Sequence, residues 1–152
     1  MKNDLFFMKR AYEQALLGFN KEEIPVVAVV VYENKIISEA HNESIIKTDP
    51  TSHAEIVAIR KAALKIGNYR LNNAKMFVTL EPCLMCCGAL IHARFDKVIF
   101  STKDEKSGAV ISNGNLLEAN FVNHYVKFEQ GPLEEESSVL LKKFFKNKRS
   151  KA

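Results

Sequence analysis

Apolar residues recur along this chain in two rhythms, and the switches between them predict its elements. Over residues 4–19, Leu5, Met8, Tyr12, Ala15, Leu16 and Phe19 return at helical spacing, and Asn3 can cap the start. Residues 26–32 form a continuous β-branched run behind Pro25, the pattern of a strand buried on both faces. Glu33-Asn34 suits a tight turn, so residues 35–40 fold back as a second strand in a hairpin. Residues 41–50 are polar and irregular. Asp49-Pro50-Thr51-Ser52 carries helix-start chemistry, which predicts a helix over 51–66 stopped by Gly67-Asn68.

The second half repeats strand and helix. Strands are expected over 75–80, 97–101 and 122–128, with a short helix over 83–93. Residues 102–115 read as a loop containing Gly108 and Gly114. A last helix over 134–148 is acidic at its start and basic at its end, as the helix dipole favours, and residues 146–152 are expected to fray. Strands alternating with helices after one hairpin argue an α/β sandwich with a mixed sheet, built as a single domain over 1–152.

Composition narrows the class. The 152 residues suffice for one core, and 47% hydrophobic with 26% charged residues is ordinary for a globular chain. No apolar run approaches the ~20 residues of a membrane span, and Met1-Lys2-Asn3-Asp4 opens no secretory signal. Three cysteines, two of them in a C-x-x-C, point to a reducing, cytoplasmic setting and to metal or redox use instead of disulfides. The net charge of +4 permits an anionic partner.

The chemistry centres on Thr79-Leu80-Glu81-Pro82-Cys83-Leu84-Met85-Cys86. Pro82 suits a first helical position, which would put Cys83 and Cys86 in one first turn, on one face. The positive end of that helix favours thiolates, and two thiolates make half of a tetrahedral zinc site. His53, in His53-Ala54-Glu55, is the strongest candidate for a third ligand, which leaves the fourth position for water. Glu55 follows His53 by two, so on a helix it points elsewhere and is free to act as a base. Zinc would turn the water into hydroxide near neutral pH, the hydroxide would attack an electrophilic carbon, and Glu55 would carry the protons to a ring nitrogen and the leaving amine. H-x-E followed by P-C-x-x-C is the pattern of zinc-dependent nucleobase deaminases. A thioredoxin-like redox pair or a non-catalytic zinc module is the competing reading of C-x-x-C alone.

Further motifs carry a resemblance: Pro25-Val26 with Ala28-Val29, Asn42, Asp49-Pro50-Thr51, Asn68-Tyr69-Arg70-Leu71, Gly88-Ala89, Arg94, Asp104 with Lys106 and Gly108-Ala109, Asn123-His124, and Phe144-Phe145 with Arg149. With the zinc pattern they make the chain resemble bacterial tRNA-specific adenosine deaminases of the TadA type, in the cytidine deaminase-like superfamily. The resemblance implies a three-layer α/β/α sandwich on a five-stranded mixed sheet, a homodimer, and one zinc on His53, Cys83 and Cys86 with Glu55 as proton shuttle. It implies that Asn42 and the backbone of Ala54 orient the base. Asp104, Lys106, Asn123, Phe144, Phe145 and Arg149 would lie near a tRNA anticodon loop, and the product would be inosine at the wobble position, of an arginine tRNA. A free-base or nucleoside deaminase acting on guanine or cytosine is the alternative on the same chemistry.

The chain also departs from the resemblance. Val27 stands where glycine is usual and is expected to add bulk on the active-site side of the sheet. Ile111, before Ser112, replaces a glycine and predicts another loop path. Glu43, Tyr125 and Ser137 are further differences. Cys87 reads as a small buried residue, and His41, His92 and His124 as structural or solvent-facing. Phe144 and Phe145 are adjacent, so one is expected to pack in the core while the other is free to meet a base.

Overall fold

The computed structural model describes residues 1–151. Its elements are α1 (Asp4–Asn20), β1 (Val27–Tyr32), β2 (Lys35–His41), α2 (Ala54–Ile66), β3 (Lys75–Leu80), α3 (Leu84–His92), β4 (Lys97–Thr102), a 3₁₀ turn (Leu116–Glu118), β5 (Lys127–Gln130) and α4 (Glu134–Lys151). The five strands form one sheet in the order β2-β1-β3-β4-β5. β1 runs antiparallel to β2 and β3, while β3, β4 and β5 are parallel, so the sheet is mixed as expected.

The sheet explains why the β1 run is apolar without interruption. Val26, Ala28 and Val30 join the core under α2 and α3, and Val27, Val29 and Val31 join the core under α1 and α4. Met76 and Val78 of β3, and Val98 and Phe100 of β4, face the first layer, while Phe77 and Ile99 face the second. Val27 therefore packs with Phe7, Met8 and Ala11, on the face away from α2 and α3, and not on the active-site side.

Local chemistry sets the boundaries. Asn3 Oδ1 accepts from Phe6 N–H at 3.0 Å and starts α1. Glu33 and Asn34 both adopt left-handed backbone (φ 52° and 60°), the geometry a two-residue hairpin needs. Gly67, at φ 77°, closes α2 with its N–H on the Ala63 carbonyl.

Three boundaries differ from expectation. α2 begins at Ala54 and α3 at Leu84, because His53 and Cys83 hold extended backbone and flank the helices as N-caps. The last strand is Lys127–Gln130, not 122–128: Lys127 pairs with Lys97, the first residue of β4, so residues 122–126 lie beyond the end of the only neighbouring strand. α4 continues through Lys151 without fraying at 146, held by an ion pair from Lys151 to Glu22 and by Lys148 over the Phe144 ring at 5.6 Å. Ala152 lies outside the described residues. No helix among the described residues is long and apolar enough to cross a membrane.

Candidate metal centre and adjoining groove

Two helix starts converge on one point. His53 and Cys83 are the N-caps of α2 and α3, and neither side chain caps its own helix, so both are available to a third party. His53 Nδ1 lies 3.6 Å from Cys83 Sγ and 3.6 Å from Cys86 Sγ. Zinc–sulfur and zinc–nitrogen bonds of ~2.3 and ~2.05 Å, at tetrahedral angles, place S and N about 3.6 Å apart. The donor set and its spacing therefore fit zinc, and the three ligand atoms all lie within 4.8 Å of one another. It is the only such His/Cys/Asp/Glu cluster among the described residues.

The helix starts also tune the thiols. Cys83 is lowered to about 5, chiefly because the Cys86 thiol donates to its sulfur, with His53 and backbone amides assisting. Cys86 moves up, from that same hydrogen bond and from its complete burial. Zinc, when bound, requires both sulfurs as thiolates, so its binding would release the remaining thiol proton.

Glu55 belongs to the same centre. It is buried, and its carboxyl lies close enough to His53, Cys83 and Cys86 to interact with all three. Because His53 is an extended cap and not a helical residue, the i, i+2 divergence expected of a helix does not separate the two. Burial is the main influence on Glu55 and pushes it up to about 7, against its own backbone N–H. A carboxyl poised near neutrality can both take and return a proton.

Asn42 is buried beside this segment. Its Oδ1 accepts from Ser44 N–H at 3.0 Å, and Glu43 N–H bonds the Ser52 carbonyl at 2.9 Å, tying the loop after β2 to the chain just before His53. Asp49 holds the other end of that turn: its carboxylate accepts from Thr51 N–H, Thr51 Oγ1 and Ser52 Oγ at 2.7–2.9 Å. These bonds hold Asp49 down at about 2. Ala54 opens α2, so its N–H is among those without an intrahelical partner.

The remaining candidates divide. Asp104, Lys106, Phe145 and Arg149 line one groove of about 950 Å³, with Ile24, Val26 and Leu80 at its floor. The Val26 carbonyl accepts from Asn42 N–H at 3.1 Å, and Leu80 immediately precedes Glu81-Pro82-Cys83, so the groove borders the segments that carry the centre. Phe145 is 45% exposed, whereas Phe144 is 5% exposed and packs against Phe19, which settles which of the two is core. Asn123 does not reach the groove: it is exposed, and its carbonyl accepts from Arg94 Nη1. Cys87 is fully buried, and His124 Nε2 is 2.8 Å from the Phe95 carbonyl, a structural contact. His41 and His92 are solvent-facing.

Sequence reasoning offers Lys142 among the basic residues around Phe144 and Phe145, but passes over two residues that the structure brings forward, Lys103 and Glu81. Lys142 lines the groove with Phe145 and Arg149, one helical face at i, i+3 and i+7, and Lys103 lines it from the loop. Glu81 is 2% exposed and gathers the whole 104–112 loop. An acid set between an apolar strand and Pro82 was its only signal. Ile111 N–H donates to Glu81, and its side chain is 41% exposed at a position with no left-handed backbone.

Comparison with known proteins gives a consistent picture. The family described as the cytidine and deoxycytidylate deaminase zinc-binding region matches residues 1–102. A tRNA-specific adenosine deaminase of Aquifex aeolicus is 46% identical over 145 residues, covering 95% of each chain. A solved structure from biochemical and structural studies of A-to-I editing by tRNA deaminases at the wobble position superposes with a TM-score of 0.86 at 34% identity, covering 90% of this chain and 99% of that one. A guanine deaminase from Bacillus subtilis superposes less closely, with a TM-score of 0.65 at 31% identity, covering 98% and 95%.

Proposed function

The chain belongs to the tRNA-specific adenosine deaminases, zinc-dependent enzymes of the cytidine deaminase-like fold, and from that premise we propose that it converts the wobble adenosine of a tRNA anticodon loop to inosine, acting on an arginine tRNA. The observation that carries the reading is the convergence of His53, Cys83, Cys86 and Glu55 beside a groove that presents Phe145 and Arg149.

His53, Cys83 and Cys86 would hold zinc, whose chemistry when bound is to acidify a water near neutral pH and leave one position open. Glu55 would take one proton from the attacking water and pass it to the adenine ring nitrogen, then carry a second proton from the new C6 hydroxyl to the C6 amine, which departs as ammonia as the carbonyl forms. Asn42 and the Ala54 N–H hold the base edge. Adenosine and water give inosine and ammonia, so no other reactant is needed.

The base must leave its stack to reach a buried centre, and this costs least in a single-stranded loop. Phe145 offers a stacking face, and Lys103, Lys106, Lys142 and Arg149 offer charge to the phosphates along the same groove. Asp104 faces the groove with them, Asn123 lies outside it, and Phe144 holds α4 to the core beneath Phe145. The chain works as a homodimer, a reading supported by the exposed Leu84, at 67%, and Phe121, at 77%.

The test is a panel of anticodon stem-loops with adenosine at the wobble position, run beside free adenosine, cytidine and guanine on zinc-loaded protein. Inosine at that one base, fastest in the arginine stem-loop, is expected. Ammonia from guanine or cytidine with unchanged stem-loops would move the chain to small-base deamination.

A further inference from the structure

Glu81 is the most heavily hydrogen-bonded side chain of the molecule's second half, and no step of the reaction uses it. Its Oε2 accepts from the N–H groups of Val110, Ile111 and Ser112 at 3.0, 2.8 and 3.0 Å. Its Oε1 accepts from Asp104 N–H at 3.1 Å and from the Ser112 hydroxyl. No lysine or arginine forms an ion pair with it among the described residues. Backbone dipoles therefore compensate the buried charge.

The loop that wraps this carboxylate is the one that enters the groove. Asp104 Oδ1 accepts from Lys106 and Ser107 N–H, shaping the turn between the two groove residues. Gly108 then passes against Glu81 so closely that a Cβ there would lie 2.3 Å from the Glu81 carboxyl carbon and 2.6 Å from the Asp104 carbonyl oxygen. At the same place Gly108 bridges Cys83, and Ala109 N–H donates to the Pro82 carbonyl at 2.9 Å. One short stretch, Glu81-Pro82-Cys83, thus carries a metal ligand and the anchor of the recognition loop.

We propose that Glu81 is a positioning residue for RNA recognition: its carboxylate gathers the 104–112 loop so that Asp104 and Lys106 face the groove in fixed register with Cys83. The inference rests on the groove being the RNA site. A glutamine at this position has one oxygen to accept what two oxygens now accept, and its amide N–H₂ opposes backbone N–H donors. The loop then loses its register while Cys83 keeps its place, because Cys83 is fixed by α3 and by Cys86. Ser112 supplies a graded version of the same perturbation, since its hydroxyl is one bond among five donors.

The experiment measures zinc content, stem-loop dissociation constant and saturating single-turnover rate for wild type, Glu81→Gln, Gly108→Ala, Ser112→Ala and Ser112→Thr. Losing hydrogen bonds to a buried charge is expected to weaken stem-loop binding roughly tenfold or more in Glu81→Gln and Gly108→Ala, and about threefold in Ser112→Ala. Ser112→Thr keeps the hydroxyl and should bind as wild type does. Zinc content and the saturated rate stay at wild-type level throughout, and the amides of Val110 and Ile111 exchange faster in Glu81→Gln. Unchanged binding in Ser112→Ala and Gly108→Ala overturns the proposal. So does a fall in zinc and rate that tracks the fall in binding, which marks a merely structural role. Should Glu81→Gln fail to fold, the Ser112 pair and Gly108→Ala decide. A wild-type protein that does not bind the stem-loop defeats the functional reading itself, and the inference with it; wild-type binding with unaffected variants defeats the inference alone.

Discussion

The metal centre and the groove beside it are built on opposite plans. The centre is small and largely buried, and it comes from two short motifs at two helix starts. The groove is wide and open, and it is assembled from the 102–107 loop and one face of α4, which begins only at Glu134. The difference reflects what each must do. A metal and a proton shuttle need fixed distances of a few ångström, which demand particular residue types at particular spacings. A single-stranded RNA needs cations and an aromatic face along a track, which many spacings can supply. Chemistry should therefore be lost at the centre with binding intact, and binding lost at the groove with chemistry intact.

The largest expected effect breaks the comparison at its chemical end. Glu55→Ala should lower the saturated deamination rate by about 10²–10⁴-fold, the usual contribution of a positioned acid–base group, while zinc content and stem-loop affinity persist. Zinc analysis and single-turnover rates check this together.

The next effects separate the two adjacent phenylalanines. Phe144→Ala empties a buried site and should cost about 3–5 kcal/mol in denaturant unfolding, because Phe144 is packed against Phe19. Phe145→Ala should leave stability nearly unchanged and weaken stem-loop binding by one stacked base, roughly tenfold. An unfolding loss in Phe145→Ala equal to that of Phe144→Ala would erase the distinction.

The groove's charge is sharpened by salt. Lys103, Lys106, Lys142 and Arg149 line it, and four phosphate contacts on a single strand predict a slope of log affinity against log salt of roughly −3. Arg149→Ala should make that slope shallower by about 0.7. Titration at several salt concentrations reads both numbers, and a flat response would remove the groove from RNA binding.

The smallest effect concerns the turn that delivers His53. Asp49 titrates at about 2, below its ordinary 3.8, because Thr51 and Ser52 donate to its charged form. A carboxylate lowered in the folded state adds stability that is fully present above pH 3.8 and is lost as pH falls through 2. Asp49→Asn should therefore be less stable than wild type above pH 3.8, with the gap closing between 3.8 and 2. Acid unfolding of both proteins follows it. A gap that widens toward low pH contradicts the assignment.

How much of this was legible in the sequence follows the same division. The strands of the sheet's centre were readable because burial on both faces leaves an uninterrupted apolar run, as in β1. The ligands were readable because H-x-E and P-C-x-x-C are short and local. The helix starts differ because His53 and Cys83 hold extended backbone as N-caps, with side chains turned toward one another instead of capping their own helices, which pattern alone does not reveal. β5 was misplaced because its extent depends on where β4 begins, a non-local fact. Val27 was assigned to the wrong face because a run apolar on both sides carries no parity. Glu81 was missed because its bonds reach residues some thirty positions away, and the expectation that Asn123 lies near an anticodon loop rests on resemblance alone.

The measurement that tests the division of labour most directly is the single-turnover deamination rate of an anticodon stem-loop at saturating, zinc-loaded protein, taken for wild type, Glu55→Ala and Arg149→Ala. The account predicts wobble inosine from Arg149→Ala within about threefold of the wild-type rate once binding is saturated, and a rate at least about a hundredfold lower from Glu55→Ala. A normal rate in Glu55→Ala, or a collapsed rate in saturated Arg149→Ala, would contradict it.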